Sequence, residues 1–301
     1  MSMAVDESPT LLRRQLGRFL RERRQATGLT LEQASVQVQL SFNALQRLEA
    51  GRTVKPRRQD VRELCMLYEV DADETDQAVD LAFRAATAKD EDGIFSLGGL
   101  FSDAFNMYVG MERSARRLVT YQEQIPGLLQ TADYARAVFS AFPGFTSPDD
   151  IERRVEIRLK RQVIVTRKAN PLTVEVLLHE TALHRVAGTN RVMATQLKHL
   201  ADLSTRPNVT VRVQPFSAGY TWGFQHGPFV LLDFGTDAKN KQIEPPIVYV
   251  EGRLTSDTYV ERSEDVQRYI ELAEAIRVET LDEVRTRDLV RHRAREFDRE
   301  R

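Results

Sequence analysis

The sequence has little cysteine, no long apolar run and almost no net charge, and each shortage narrows the possible protein classes. The single cysteine, Cys65, excludes an internal disulfide, and its place in an apolar segment predicts a buried core residue. No apolar run reaches 18 residues and no signal-peptide pattern opens the chain. We therefore expect a cytoplasmic protein with no membrane association.

The net charge of -1 conceals a strong asymmetry along the 301 residues. Residues 11–58 contain eleven basic and three acidic side chains, a local charge of +8, so the remainder carries -9. A basic module attached to an acidic body is typical of a nucleic-acid-binding protein.

Residues 11–87 have a helical pattern throughout. Apolar residues recur every three or four positions from Leu11, and Gly28 predicts the end of the first helix. Thr30 and Gln33 form a capping-box pattern for a second helix, and Ser41 is a predicted N-cap for a third that ends at Gly51. The small residues Ala34 and Ser35 lie midway along the first helix of this pair, where a helix-turn-helix needs small side chains because its two helices contact each other closely.

Residues 11–86 resemble the five-helix DNA-binding domain of lambda-repressor-like, or XRE, regulators. The resemblance is carried by "GLTLEQA", Ser41, "LQRLEAGR" and "RQDVRELCMLYEV". Gln39 stands where the family usually has glycine, which predicts a less tight corner, and Leu31 stands where a glutamine often assists base contact. The resemblance implies that helix 41–50 enters the major groove of double-stranded DNA.

Two groups of side chains are the predicted DNA contacts. Asn43 and Gln46 suit adenine, Arg47 suits guanine or phosphate, and Phe42 suits a thymine methyl group. The predicted phosphate contacts are Thr30, Gln33, Arg52, Lys55 and Arg57. Because one recognition helix reads few bases, we expect a homodimer on two half-sites.

Residues 88–98 mix charge and glycine and are the predicted linker to a second domain at 99–280. Strands are predicted at "LVTYQEQ", "LTVEVLLHE", "NVTVRVQPF", "GPFVLLDFG" and "PIVYVEG", with intervening helices that include residues 147–167. This indicates an α+β domain with a mixed or antiparallel sheet. Residues 281–301 are predicted to be a charged C-terminal helix or tail, solvated or fraying.

Two motifs of the second domain raise alternatives to regulation alone. The "HETALH" segment resembles a zinc site, but His179 and His184 are five residues apart and about 140° apart on a helix, so we predict neither metal nor catalysis there. The segment "SAGYTWGFQHGPF" reads as a mobile loop or as a ligand or partner site formed by Tyr220, Trp222, Phe224 and His226.

Most of residues 95–280 resemble the C-terminal domain of actinobacterial XRE regulators described as antitoxin-like. The matching segments include "VTYQEQIPGLLQTADYARAVF", "SPDDIERRVEIRLKRQ" and "QLKHLADLSTRPNVTVRVQPFSAG". The resemblance implies a transcriptional regulator, commonly encoded beside a small toxin-like protein that is its expected partner. When bound to DNA, such a regulator is expected at the nucleoid. The alternatives are a small-molecule-sensing regulator and a metallopeptidase fused to a DNA-binding domain; no enzyme activity and no cofactor are predicted.

Overall fold

The computed structural model describes residues 8–88, 103–141, 147–236, 240, 242–252 and 257–299. The chain divides into two compact units, Met1–Ser114 and Ala115–Arg301. All but the first residue of the predicted linker 88–98 lie outside the described residues. None of the helices that the structure describes has the length and apolar character needed to cross a bilayer.

The first unit is helical, as its apolar periodicity predicts. Its described helices are α1 (Pro9–Ala26), α2 (Leu31–Gln37), α3 (Phe42–Glu49), α4 (Arg58–Leu67), α5 (Ala72–Thr87) and α6 (Asp103–Ser114). The core of α1 to α5 is formed by Leu16, Leu20, Leu45, Leu64 and Ala82, which are almost inaccessible to solvent. Cys65 is buried in the same core, which confirms its predicted place, and burial raises the pKa of its thiol.

Helix α6 was not predicted, and it falls in the first compact unit although the sequence places the second domain from residue 99. Its sequence combines Gly110 with apolar and polar residues in no strong helical pattern. Met107, Val109 and Met111 are nevertheless buried. Helix α6 packs against α1, so its formation depends on a helix far away in the sequence.

The second unit is an α+β domain around a six-stranded mixed sheet, in agreement with the prediction. The strands are β1 (Arg117–Gln122), β2 (Thr173–His179), β3 (Val209–Gln214), β4 (Phe229–Asp233), β5 (Ile247–Val250) and β6 (Thr258–Val260), in the order β3-β2-β1-β4-β5-β6. Strands β1, β2 and β3 are parallel because helical crossovers connect them, and β4 to β6 are antiparallel. The three-residue strand β6 is too short to give a sequence pattern and was missed.

Along the sequence, the described helices of this unit lie between the strands and after the last strand. They are α7 (Ala132–Ser140), α8 (Pro148–Thr166), α9 (Thr181–His184), α10 (Asn190–Leu203), α11 (Trp222–His226), α12 (Ser263–Val278) and α13 (Glu283–Arg299). Helix α12 covers one face of the sheet, where Ala273 and Ile276 pack with Tyr121, Leu177 and Phe229.

A buried carboxylate fixes helix α12 to the sheet. Glu175 of β2 accepts hydrogen bonds from Arg117 of β1 and from Arg277 of α12, each with an N···O distance of 3.0 Å. Burial alone would raise the pKa of Glu175, but the bonds and charges of Arg277 and Arg117 outweigh it and hold the pKa below its usual value.

The charged C-terminal segment is a helix, one of the two predicted forms, but one of its faces is packed rather than solvated. Val290, Ala294 and Phe297 of α13 are buried at helical spacing, and the helix packs against α10 and β3. The backbone N–H of Val213 donates to Thr286 Oγ1 at 2.9 Å, and the N–H of Leu281 donates to the carbonyl of Val213 at 2.8 Å. These bonds cover part of the edge of β3. The many charges conceal the apolar row in the sequence.

The corner between α2 and α3 is closed more tightly than Gln39 led us to expect. Gln39 has a φ of 54°, the left-handed conformation that favours glycine. Its N–H donates to the carbonyl of Val36 at 3.2 Å, and the N–H of Leu40 donates to the carbonyl of Ser35 at 2.9 Å. These two bonds form a Schellman motif, so the turn keeps the geometry that a glycine would give.

We therefore predict that Gln39→Gly stabilises the first unit by about 1 kcal/mol, because glycine adopts a positive φ without the steric cost of a Cβ atom. Chemical denaturation of the full chain measures the change. The matched control is Gln37→Gly, at the last residue of α2, which should destabilise the unit by up to about 1 kcal/mol because its φ is not positive and glycine there only adds flexibility to the unfolded chain. Two changes of the same sign would contradict the assigned turn geometry.

Candidate nucleic-acid interface

The N-terminus of α2 carries the predicted capping box. The backbone N–H of Thr30 donates to Gln33 Oε1 at 2.9 Å, and the N–H of Gln33 donates to Thr30 Oγ1 at 3.1 Å. Both residues are exposed. Since the amide oxygen of Gln33 serves the cap, its NH₂ group is the part available to donate to a phosphate.

Helix α3 has one buried and one exposed side. Ser41 caps its N-terminus by accepting the N–H of Ala44 at 3.2 Å, as predicted. Leu45, Leu48 and Glu49 are buried. The four predicted base-reading residues are all exposed: Phe42, Asn43, Gln46 and Arg47. At about 100° per residue, Asn43 lies opposite the buried side.

Helix α3 lies very close to α1 because Gly17 has no side chain. A Cβ atom at Gly17 would lie 2.6 Å from the carbonyl oxygens of both Leu48 and Glu49. Gly51, which follows α3 with a φ of 68°, has room for no Cβ either, since that atom would lie 2.9 Å from the Cα of Arg14. The two glycines set the separation of α1 and α3, and with it the placement of the exposed face.

A buried ion pair joins the C-terminal ends of the same two helices. Arg24 donates from Nε to Glu49 Oε1 at 2.7 Å and from Nη2 to Oε2 at 2.9 Å. Its Nη1 donates to the carbonyl oxygen of Leu29 at 2.7 Å, at the start of the segment that leads to α2. The hydrogen bond from Glu49 raises the pKa of Arg24 despite burial. The pair therefore ties α1, α3 and the entry to α2 together.

The surface charge of the first unit is smaller than the sequence count of +8 suggests. Arg13, Arg14 and Arg24 are each less than 9% exposed, and Glu49 neutralises Arg24. The basic residues predicted to contact phosphate, in contrast, are exposed: Arg52, Lys55 and Arg57. All three follow α3 directly in the chain, so the segment after this helix carries exposed positive charge.

In the second unit, the aromatic segment after β3 contains the short helix α11. Thr221 caps α11 by accepting the N–H of Phe224. Tyr220, Trp222 and Phe224 are 77%, 53% and 60% exposed, and His226 is exposed beside the Trp222 ring. Gly223 faces inward, where a Cβ atom would lie 2.5 Å from Tyr121 Cζ. The helix is thus seated on Tyr121 and directs its aromatic rings outward.

The "HETALH" segment organises the start of this aromatic surface. Glu180 Oε2 accepts the backbone N–H of Phe216 at 2.6 Å, and Glu180 Oε1 lies 3.3 Å from His184 Nε2. The rings of His179 and His184 both contact Phe216, which is 51% exposed. Burial lowers the pKa of His179. Within the described ranges, no group of three or more His, Cys, Asp or Glu side chains is arranged to hold a metal ion.

Two family matches account for both units. A helix-turn-helix domain matches residues 15–78, and the "Domain of unknown function (DUF5753)" matches residues 105–292. The chain belongs to the DUF5753 family. No curated protein and no solved structure matches it. The helix-turn-helix match supports a DNA-binding regulator, while the DUF5753 description assigns no activity to the second unit.

Several residues of these surfaces were not singled out by the sequence reasoning. Gly17, Arg24 and Glu49 position α3, while Phe216 and Gly223 shape the aromatic surface of the DUF5753 domain. The sequence contained one signal for the buried ion pair. Glu49 follows Leu48 on the apolar side of α3, and a buried carboxylate needs a cationic partner. Which arginine supplies that partner depends on the packing of α1.

We predict that Glu49→Leu alone destabilises the first unit by about 3 to 5 kcal/mol, because it leaves Arg24 buried without its counter-ion. The double change Arg24→Met with Glu49→Leu should recover most of that loss, since no buried charge remains. Denaturant titration of the full chain measures both. As a control, Glu74→Gln, which removes the half-exposed pair with Arg23, should cost less than about 1 kcal/mol. A double variant no more stable than the single one would refute the assignment.

We also predict that Gly223→Ala displaces α11, because the added methyl group overlaps the Tyr121 ring, and lowers stability by about 1 to 3 kcal/mol. Trp222 is the only tryptophan of the chain, so its emission maximum and acrylamide quenching report the displacement directly. The control, Tyr220→Ala, removes an exposed ring and should leave the emission of Trp222 nearly unchanged. Unaltered emission in Gly223→Ala would show that α11 does not rest on Tyr121.

Proposed function

We propose that this protein is a sequence-specific transcriptional regulator of the lambda-repressor-like type, in which α3 enters the major groove of DNA. The exposed face of α3, fixed on α1 and followed by exposed cations, is the observation that carries the proposal. Base edges are read by Phe42, Asn43, Gln46 and Arg47. Thr30, Gln33, Arg52, Lys55 and Arg57 bind phosphates and set the register of the domain.

We further propose that two copies bind together. One recognition helix contacts few base pairs, and helix-turn-helix proteins reach specific affinity by placing two such helices about one DNA turn apart. A homodimer on two half-sites satisfies that requirement. Size-exclusion chromatography with light scattering, together with the spacing of selected half-sites, tests it.

The DUF5753 domain is proposed to control this binding through a small protein partner, as an antitoxin-like regulator. The aromatic surface of Phe216, Tyr220, Trp222 and Phe224 supports such a partner, because aromatic residues dominate the energy of protein interfaces. A small-molecule effector is the second candidate. The rings favour the protein partner, since they are between 51% and 77% exposed, whereas small molecules bind in concave sites that enclose most of their surface.

Paired substitutions separate base reading from phosphate binding. We predict that Asn43→Ala with Gln46→Ala weakens binding to a selected site by roughly 1 to 3 kcal/mol for each lost base contact, with little effect on random DNA. Arg52→Ala should weaken both and reduce the slope of log K against log salt by about one unit. Fluorescence anisotropy on both DNAs measures these effects. Equal losses of the Asn43 and Gln46 variant on both would remove these residues from base reading.

A further inference from the structure

Helix α13 of the second unit carries three exposed arginines at regular intervals. Arg291, Arg295 and Arg299 follow one another four residues apart, and we call them the arginine row. At this interval, successive side chains turn by about 40° and rise by about 6 Å along the helix. The row therefore occupies about 80° of the helix surface and about 12 Å of its length.

The packing of α13 directs the arginine row away from the domain. Val290, Ala294 and Phe297 are buried, and the helix packs against α10 and β3. At about 100° per residue, Arg299 lies opposite this buried side, Arg295 about 40° from that position and Arg291 about 80° from it. The row is thus presented to solvent on a helix that is fixed to the sheet.

Exposed arginines elsewhere in the last two helices have carboxylate partners. Arg268 of α12 pairs with Asp265, and Arg285 at the start of α13 pairs with Asp282. Arg262, the N-cap residue of α12, also pairs with Asp265. These side chains are therefore neutralised locally.

The arginine row, in contrast, is not neutralised by the residues that the structure describes, none of which forms an ion pair with it. Two nearby carboxylates have other cationic partners, since Glu296 binds Arg293 and Asp298 binds Lys198. Asp288 lies on the same side of the helix, one turn before the row. Like charges four residues apart repel each other, so the row is a concentrated positive charge without compensation.

Duplex DNA is the anionic partner that best fits the arginine row. Guanidinium groups bind phosphate through paired hydrogen bonds. Duplex DNA carries one negative charge per roughly 1.7 Å of its axis, so a row of about 12 Å faces several phosphates. A helix that binds a membrane surface inserts apolar side chains as well, and the apolar side of α13 is buried against its own domain.

We propose that the arginine row of α13 binds the phosphate backbone of duplex DNA, as a second contact besides the helix-turn-helix. The proposal rests on the proposed DNA-binding function. Phosphate contacts carry no sequence information, so the row adds affinity and leaves the choice of site to α3. Once α3 has bound, the row meets DNA at a high effective concentration because both belong to one chain.

A triple variant of the full chain tests the proposal: Arg291→Gln, Arg295→Gln and Arg299→Gln. Glutamine has nearly the helix propensity of arginine, and the buried side of α13 is unchanged. Binding to a selected site and to random duplex should weaken together, by about tenfold or more at low salt, so their ratio is preserved. The slope of log K against log salt should fall by about two to three units. Fluorescence anisotropy over a salt series measures all three quantities.

A second triple variant is the matched control: Arg262→Gln, Arg268→Gln and Arg285→Gln. It removes the same charge from side chains that are 80%, 78% and 76% exposed but already paired. Its affinity should stay within about twofold of wild type, with an unchanged salt slope. Hydroxyl-radical footprinting should show backbone positions that wild type and control protect and that the row variant leaves open. Circular dichroism and the emission of Trp222 verify that each variant is folded.

The outcomes separate this proposal from the function on which it rests. Equal losses in the two triple variants would indicate a general effect of net charge and would overturn the assignment of the row. An unchanged salt slope in the row variant would overturn it too, as would loss of binding to polyglutamate or phosphatidylserine vesicles with DNA binding retained. In each of these cases wild type still selects its site. A wild-type chain that binds no duplex would instead overturn the proposed regulator itself.

Discussion

The close contact between α1 and α3 is the constraint on which the candidate interface depends. Helix α3 has only eight residues, too few for a stable helix by itself, and so it depends on the packing of its buried face. Gly17 allows the two helices to approach, and the Arg24–Glu49 pair fixes their C-terminal ends. With these contacts in place, the opposite face of α3 has a defined orientation, which is what base recognition requires.

The DUF5753 domain positions its exposed aromatic rings in a comparable way. Gly223 brings α11 against Tyr121 of the sheet, and Glu180 holds the backbone of Phe216. Exposed rings on a fixed segment lose little conformational entropy when they bind a partner. In both units, therefore, a glycine allows close packing on the inner side, and the residues proposed to bind are presented on the outer side.

Local signals in the sequence predicted the parts of the fold that local interactions determine. The Thr30–Gln33 capping box, the Ser41 cap and strands β1 to β5 needed only neighbouring residues or a strong apolar pattern. Features that depend on distant residues were missed or misjudged. The Arg24–Glu49 pair spans 25 positions, and α13 looked solvated because its apolar row is hidden among charges.

The site shows the same division between local and distant determinants. The exposure of Asn43 and Gln46 follows from the period of α3, once Leu45 and Leu48 are assigned to the core. The sequence did not predict the tight corner at Gln39. There the two hydrogen bonds of the Schellman motif hold a residue other than glycine in the left-handed conformation. The aromatic segment was recognised by composition, but its helix depends on Thr221 and on Gly223 meeting Tyr121.

Photo-cross-linking from the exposed face of α3 tests the central claim most directly. A photoreactive p-benzoylphenylalanine replaces Gln46 in the full chain, and the same residue replaces Arg153 of the arginine-rich, partly exposed helix α8 for comparison. The account predicts efficient cross-links from position 46 to bases within the selected half-site and none from position 153. Cross-links from position 153 with none from position 46 would contradict it.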